Sequence, residues 1–320
     1  MINYQFHFIL IKYIFLSISR NFTNSDIVVS LSSLGWNTGL YIFIATLYSG
    51  ARRIVSKEPC SAELLKNLIH KYKCTITVMP PRTIAELNNI SFQPEDLSSL
   101  RLILCTGDTI ENSQKEKLLK QLPKVNLALY YGISEFGIVA VNSNMDNKNS
   151  AGKLNSNIIL RIVDDKANNL GPNEEGEIWV MNDLKWNGYF GNPSETLQMR
   201  DAEGWTHTGD LGYMDNDQNL FVIGRVKDVM KYNGLQYWPG EIEKVISELP
   251  GVADVVVVGV YDVLKGYPAG AVVIVKEGYN LTEKQIIDYV ASKLDSHKHI
   301  HSGVRFVEKF PETATSKVIK

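Results

Sequence analysis

One six-residue segment combines an aromatic ring, a glycine, a hydroxyl and an acid. The segment is Tyr130-Tyr131-Gly132-Ile133-Ser134-Glu135, and it follows a predicted buried strand. Ligands of parallel α/β sheets bind where strands end. There, Tyr131 offers a flat face to a base, Gly132 lets the backbone approach a ligand, and Ser134 can donate its hydroxyl to a phosphate. Glu135 can hold Mg²⁺. The alternative interpretation is a simple strand-to-loop turn with an exposed acid.

A second segment places an acid beside a glycine. It reads Gly204-Trp205-Thr206-His207-Thr208-Gly209-Asp210 and predicts a turn delimited by glycines. The Asp210 carboxylate can accept hydrogen bonds from two ribose hydroxyls, or it can simply stabilise the turn. A lone His207 is more often structural than catalytic. No Ser or Cys nucleophile with an orienting acid lies nearby, which argues against a hydrolase triad.

The last hundred residues contain further charged candidates. Gly224–Asp228 is either a linker or a hinge, and Gly234 permits a close backbone approach. Near the end of the chain lies Lys317, ordinarily a solvated charge. Placed 4 Å from an anionic oxygen at an effective dielectric of ~20, such a cation interacts by ~4 kcal/mol. Lys317 can therefore serve phosphoryl or acyl chemistry if a closed site receives it.

The pattern of elements predicts how these residues are positioned. From Ile27 to Tyr131, short apolar strands alternate with helical segments, which predicts an α/β fold with a mostly parallel sheet. An antiparallel pair follows at Asn157–Val163 and Gly176–Met181. From Arg225 the order α-β-β-α-β predicts a small α+β domain, with Thr282 as the N-cap of its second helix. The predicted organisation is an unassigned apolar segment at 1–26, a large domain at 27–224 and a small domain at 225–320.

Composition excludes several protein classes. The chain has 320 residues with a net charge of −2, 44% hydrophobic and 21% charged, which excludes a disordered chain, a collagen and a disulfide scaffold. A near-neutral balance argues against a general nucleic-acid or anionic-membrane binder. Three cysteines (Cys60, Cys74 and Cys105) fit a reducing compartment, and no Cys/His cluster indicates a zinc site.

Two apolar stretches raise the question of a membrane segment. Met1–Ser19 contains Lys12 and lacks a preceding basic residue, so the signal-peptide pattern is poor, and the run is too short for a span. Ile27–Ala51 carries no charge but includes several Ser, Gly, Asn and Thr residues. A buried strand, a turn and a buried helix explain it better than a span, so the sequence argues against a membrane anchor.

Together these segments resemble the adenylate-forming (AMP-binding) superfamily, in its branch of acyl-CoA synthetases, 4-coumarate–CoA ligases and luciferases. The resemblance runs from about Ile27 to the end of the chain. Its most specific blocks are Gly204–Tyr213, Arg225, Lys231–Gly234 and Pro239–Glu243. It implies an ATP-dependent acid–CoA ligase, in which a small carboxylic acid forms an acyl-adenylate and pyrophosphate before CoA displaces AMP. ATP, Mg²⁺ and CoA are the cofactors implied.

The resemblance also implies roles for individual residues. In the large domain, Tyr131 and Gly132 line the adenine pocket, Ser134 touches phosphate, Glu135 binds Mg²⁺ and Asp210 holds the ribose. In the small domain and at its border, Arg225 shares the ribose, Lys227 is the hinge, Lys231 and Gly234 serve the thioester step, and Lys317 is the catalytic lysine of adenylation. The alternatives are a luciferin-type monooxygenase and a non-catalytic nucleotide-binding paralogue or fragment.

The sequence departs from the family pattern in three places. The Ser/Thr/Gly-rich phosphate loop is expected upstream of Ile27, and nothing in Met1–Asp26 resembles it. Trp36–Gly39 stands where luciferases carry His-rich residues, and Ser316 replaces the usual glycine. We therefore expect an N-terminally truncated or divergent chain whose autonomous adenylation is weak or absent. No Ser-Lys-Leu signal ends the chain, and the expected location is the cytoplasm or the peroxisome.

Overall fold

The structure is a computed structural model that describes residues 21–108, 110, 112–143, 150–183, 186, 188–311 and 318. Two compact units share the chain: the first ends at Val222 and the second begins at Ile223. The domain boundary predicted between residues 224 and 225 stays a prediction. The apolar segment Met1–Ser19 lies outside the described residues.

The larger sheet of the first unit has seven strands. They are β1 (Ile27–Ser30), β2 (Arg52–Ile54), β3 (Ile76–Met79), β4 (Leu102–Thr106), β5 (Asn126–Ile133), β6 (Gly137–Asn142) and β7 (Lys153–Leu154). Their order is β2-β1-β3-β4-β5-β6-β7, with parallel pairing from β2 to β5 and antiparallel pairing beyond. The predicted, mostly parallel α/β sheet is confirmed.

Helices cover this sheet, and apolar clusters lie on both of its faces. The helices of the first unit are α1 (Asn37–Ser49), α2 (Ala62–Tyr72), α3 (Pro81–Asn89), α4 (Asn112–Gln121) and α5 (Pro193–Met199). Val28 and Val29, adjacent in β1, belong to different apolar clusters. Because strand side chains alternate between faces, this places one cluster on each side of the sheet.

Pro81 begins α3 directly after β3, because proline fits the first helical position, where no amide bond is lost. One sequence prediction needs correction here. The helix expected within Ile27–Ala51 is present as α1. It is not fully buried, since Leu47 and Tyr48 expose 66% and 61% of their surface.

A second sheet has four strands, and the last of them along the chain crosses from the first unit into the second. Its strands are β8 (Ile159–Val163), β9 (Gly176–Met181), β10 (Thr206–Met214) and β11 (Leu220–Arg225), in the order β11-β10-β9-β8. The expected antiparallel pairing of β8 with β9 is confirmed. Ile162, Ile178 and Val180 pack with Val139 of β6 in one apolar cluster, which joins this sheet to the edge of the larger one.

The second unit is a small α+β fold. Its elements are β12 (Met230–Tyr232), β13 (Leu235–Tyr237), α6 (Pro239–Ser247), β14 (Val252–Gly259), β15 (Ala269–Val275), α7 (Glu283–Ala291) and β16 (Ile300–Phe306). The predicted order α-β-β-α-β is confirmed, and Thr282 caps α7 as expected. The hairpin β12–β13, with Asn233-Gly234 at its turn, precedes this pattern and was not predicted.

Candidate functional site

Two of the predicted nucleotide-site residues are in contact. The Tyr131 hydroxyl donates a hydrogen bond of 2.7 Å to Oδ2 of Asp210. Tyr131 comes from β5 of the seven-stranded sheet and Asp210 from β10 of the four-stranded sheet. Asp210 is only 5% exposed. The two sheets therefore meet at a buried carboxylate that an aromatic side chain orients.

A bulge within a strand, and not a turn, positions Asp210, which corrects the sequence prediction. β10 pairs with β9 at His207, loses register, and resumes at Leu211. Gly209 lies in this gap at a φ of +67°, where side-chain-bearing residues are strained. The bulge shifts the strand locally and re-aims the side chain that follows it.

Hydrogen bonds from neighbouring residues hold the bulge in place. Thr208 donates its hydroxyl to the Ile178 carbonyl at 2.7 Å, and the same oxygen accepts from the Asp210 amide at 3.0 Å. The Gly209 amide donates to Oε1 of Glu177 at 3.1 Å. Thr208 is buried, so loss of its hydroxyl would leave buried backbone groups without partners. Asp210 is therefore fixed in position by its own strand and by β9.

His207 is stacked on a neighbouring ring within the four-stranded sheet. It lies beside Trp179 in the strand pairing, with ring centroids 3.7 Å apart and an interplanar angle of 13°. The Arg161 guanidinium lies 4.6 Å from the Trp179 ring centroid on the next strand. Nε2 of His207 is also 3.4 Å from Oδ2 of Asp201. This stack favours the structural interpretation of His207.

Glu135 lies in the turn between β5 and β6 and accepts a hydrogen bond from a residue that the sequence did not single out. The Tyr189 hydroxyl donates to Oε1 of Glu135 at 2.6 Å. Burial, together with the adjacent Glu135 carboxylate, raises the pKa of Tyr189 far above its ordinary value. Next to Glu135, the carbonyl of Ser134 accepts a hydrogen bond of 3.1 Å from Asn37. Contacts from α1 and from residue 189 thus hold this turn.

Gly132 lies within β5, not after it, because the strand extends to Ile133. A Cβ at this position would lie 2.1 Å from the carbonyl oxygen of Gly137. The backbone of β6 therefore requires glycine here, irrespective of any ligand. Its predicted contact with adenine stays a prediction.

The donor set around Glu135 suits a hard cation bound together with phosphates. Among the described residues, no group of three or more His, Cys, Asp or Glu side chains converges on one point. Mg²⁺ is usually held by one or two carboxylates plus substrate phosphates, and a full protein cage is not needed. A single half-buried carboxylate such as Glu135 fits that form of binding.

The remaining predicted residues belong to the second unit or to its border. Arg225 ends β11 and is exposed, and Lys227 lies in a short 3₁₀ turn at Val226–Asp228. Lys231 is exposed on β12, and Gly234 occupies the hairpin turn at a φ of +81°. Lys317 lies outside the described residues. The roles assigned to these five residues stay predictions.

Sequence reasoning missed Tyr189, Thr208 and Asn37 as residues that support the site. The available signal near Tyr189 was Asn192-Pro193, since Asn192 caps α5 and Pro193 begins it, four residues after Tyr189. No local pattern indicates that Tyr189 meets Glu135, because 54 positions separate them.

None of the helices in the described part of the chain is long and apolar enough to cross a membrane.

Comparison with known proteins relates the chain to AMP-binding enzymes. The model of the AMP-binding enzyme family matches residues 5–190, and that of the AMP-binding enzyme C-terminal domain matches residues 241–317. Luciferin 4-monooxygenase of Nipponoluciola cruciata is 34% identical over 88% of this chain and 52% of its own length. 4-Coumarate-CoA ligase 1 of Narcissus pseudonarcissus is 30% identical over 87% of this chain and 52% of its own.

Solved structures show the same fold. The anthranilate CoA ligase AuaEII in complex with anthranoyl-AMP aligns with a TM-score of 0.86 and 25% identity, over 97% of this chain and 61% of that one. The chain spans about half the length of the curated relatives it matches. With one family model matching more than half of its residues and a second matching most of its last third, the chain belongs to the AMP-binding enzyme family.

Proposed function

We propose that the chain carries the nucleotide site of an ATP-dependent acid–CoA ligase. In this reaction a carboxylate attacks the α-phosphate of ATP, the bond to pyrophosphate breaks, and an acyl-adenylate forms. The CoA thiol then attacks the acyl carbon and AMP leaves. The observation that carries the proposal is the bond between Tyr131 and the buried Asp210. Relatives named as CoA ligases support the choice of reaction.

The contacts support specific roles in nucleotide binding. The Asp210 carboxylate can accept hydrogen bonds from the ribose hydroxyls, because an ionised carboxylate offers about four acceptor sites. Tyr131 orients that carboxylate and presents its ring to adenine, with Gly132 beside it in β5. Ser134, which is exposed, can donate to phosphate.

Glu135 is the proposed Mg²⁺ ligand. Bound there, the cation would neutralise charge on the phosphates of ATP. The protein's own part is to hold the Glu135 carboxylate in place through Tyr189 and through the turn between β5 and β6.

The second unit is proposed to complete the reaction. Arg225 would share the ribose, Lys227 would act as the hinge, and Lys231 with Gly234 would serve the thioester step. Lys317 would be the adenylation lysine, with its ammonium supplied to the carboxylate and the α-phosphate. These assignments rest on the motif order along the sequence.

Luciferin oxidation is the second candidate function. It is favoured by the 34% identity to luciferin 4-monooxygenase. Light emission on mixing the protein with luciferin, ATP and Mg²⁺ would support it. Thioester formation without light would support the ligase.

Incubation of the 320-residue chain with ATP, Mg²⁺, CoA and a panel of small carboxylic acids tests the proposal. Mass spectrometry should detect an acyl-adenylate or acyl-CoA that depends on one of the acids, and Asp210→Asn should reduce it strongly. We expect a low rate, because the residues upstream of Ile27 do not resemble the family's phosphate loop. ATP binding without any acid-dependent product would favour the non-catalytic alternative.

A further inference from the structure

The hydrogen bond from Tyr189 to Glu135 joins two segments that are 54 positions apart. We propose that Tyr189 is a positioning residue, which fixes the Glu135 carboxylate so that its second oxygen is presented to the divalent cation of a metal–ATP complex. This inference rests on the proposed function. It adds a residue and a means of holding Glu135 in place that the sequence motifs did not indicate.

The two oxygens of Glu135 have different surroundings. Oε1 accepts the Tyr189 hydroxyl at 2.6 Å. Within the described ranges of the chain, Oε2 accepts no hydrogen bond. Glutamate loses considerable side-chain freedom when it is ordered, so a donor that fixes one oxygen lowers the entropic cost of presenting the other. Carboxylates that bind metal ions are commonly held in orientation by hydrogen bonds from neighbouring groups.

Tyr189 is itself anchored through its backbone. Its amide donates to Oγ1 of Thr196 at 2.9 Å, and the same hydroxyl donates to the Asn192 carbonyl at 2.8 Å. The Asn192 amide returns a bond of 3.2 Å to the Tyr189 carbonyl. The Thr196 hydroxyl therefore ties the loop before α5 to the helix, and the phenol of Tyr189 extends from a fixed loop.

Close packing around Gly188 supports the same conclusion. Gly188 has a φ of +87°, and a Cβ there would lie 2.3 Å from Cγ2 of Thr196. The Trp186 ring meets the Tyr189 ring edge-on, with centroids 5.0 Å apart. The backbone approach to Thr196 and the ring contact both restrict where the Tyr189 hydroxyl can lie.

The test measures how much Mg²⁺ improves ATP binding. Calorimetry on the full chain gives the Kd for ATP in excess EDTA and again in excess Mg²⁺, and the ratio reports the metal's contribution. We expect Tyr189→Phe to reduce the ratio of the Kd in EDTA to the Kd in Mg²⁺ about tenfold. If the wild-type ratio is itself below about ten, the ratio of the variant should fall to one. The Kd for ATP in EDTA should stay at its wild-type value. A general structural defect would weaken ATP binding in EDTA as well, so this measurement distinguishes the two causes.

Matched variants isolate the hydroxyl groups. Thr196→Ser keeps the hydroxyl that anchors Tyr189 and should keep the wild-type ratio, whereas Thr196→Val should reduce it. Tyr213→Phe removes the hydroxyl of a tyrosine whose ring stacks on Phe221, and it should have no effect on the ratio. If Tyr189→Phe does not fold, as judged by its thermal transition, the Thr196 pair decides the question.

Glu135→Gln separates this inference from the proposed function. If Glu135→Gln abolishes the Mg²⁺ effect while Tyr189→Phe and Thr196→Val leave it intact, the positioning role is wrong and the proposed metal ligand stands. If Mg²⁺ does not improve ATP binding to the wild type, or if Glu135→Gln retains the improvement, Glu135 is not the ligand. The positioning role is then overturned together with the proposed metal site.

Discussion

The Tyr131 hydroxyl and the Asp210 carboxylate lie 2.7 Å apart, although 79 positions separate them in sequence. Their bond connects β5 of the parallel sheet with the bulged strand β10 of the antiparallel one. Each sheet alone would supply only one of these groups. The aromatic ring and the buried acid of the proposed nucleotide site therefore lie side by side only when both sheets are correctly docked.

The strength of this bond can be measured by a double-mutant cycle. Tyr131→Phe removes the donor and Asp210→Ala removes the acceptor, and we expect a coupling free energy of about 1.5–3 kcal/mol, as for hydrogen bonds to charged groups. Urea unfolding of the two single variants and the double variant gives the coupling. A value below about 0.5 kcal/mol would show that the two residues do not depend on each other.

Local patterns predicted the elements well but not the contacts between them. The alternation of apolar strands and helices indicated the parallel sheet, and Thr282 indicated the start of α7, because both signals are contained within a few residues. The bulge at Gly209 depends on pairing with β9, so the same residues were interpreted as a turn. Tyr189 was missed for the same reason, since its partner Glu135 is brought near only by tertiary folding.

A buried carboxylate at the start of β1 should make stability depend on pH. Burial raises the pKa of Asp26, but hydrogen bonds from Arg101, Thr75 and Thr23 outweigh it and hold the pKa well below its usual range. A group whose pKa is lowered by folding stabilises the protein above its unfolded pKa, about 3.9 for Asp. That stabilisation is lost as the pH falls below about 4.

Arg101→Met tests this account of Asp26. Arg101 bonds both carboxylate oxygens, at 2.8 and 2.7 Å. Because the Arg101 side chain is partly exposed, we expect the substitution to lower the free energy of unfolding by a modest amount, about 1–3 kcal/mol, at pH 7. The loss near pH 3 should be smaller. Urea unfolding at the two pH values measures it, with the exposed Arg82→Met as the control. Equal losses at both pH values would contradict the assignment.

The turn of the β12–β13 hairpin predicts opposite effects for two glycines of the second unit. Asn233 and Gly234 have φ values of +50° and +81°, as a two-residue Asn-Gly turn requires. Gly234→Ala should cost about 1–2 kcal/mol, because alanine is strained in this region. Gly240→Ala, in the first turn of α6, should be neutral or stabilise by up to about 1 kcal/mol.

Thermal unfolding of both glycine variants distinguishes these outcomes. No neighbouring atom lies within 4 Å of the Cβ that either substitution would add, so steric contact does not confuse the comparison. If Gly240→Ala lowers the Tm at least as much as Gly234→Ala does, the positive φ of residue 234 does not explain the loss of stability.

The most direct test of the account is AMP binding to the first unit's buried acid, measured by calorimetry on the full chain. The wild type should bind AMP, and Asp210→Asn should weaken binding about 10- to 100-fold, because it removes hydrogen bonds to a charged acceptor. Asp217→Asn, in the exposed turn after β10, should bind as the wild type does. Equal affinity of Asp210→Asn and wild type for AMP would contradict the central claim that Asp210 holds the nucleotide.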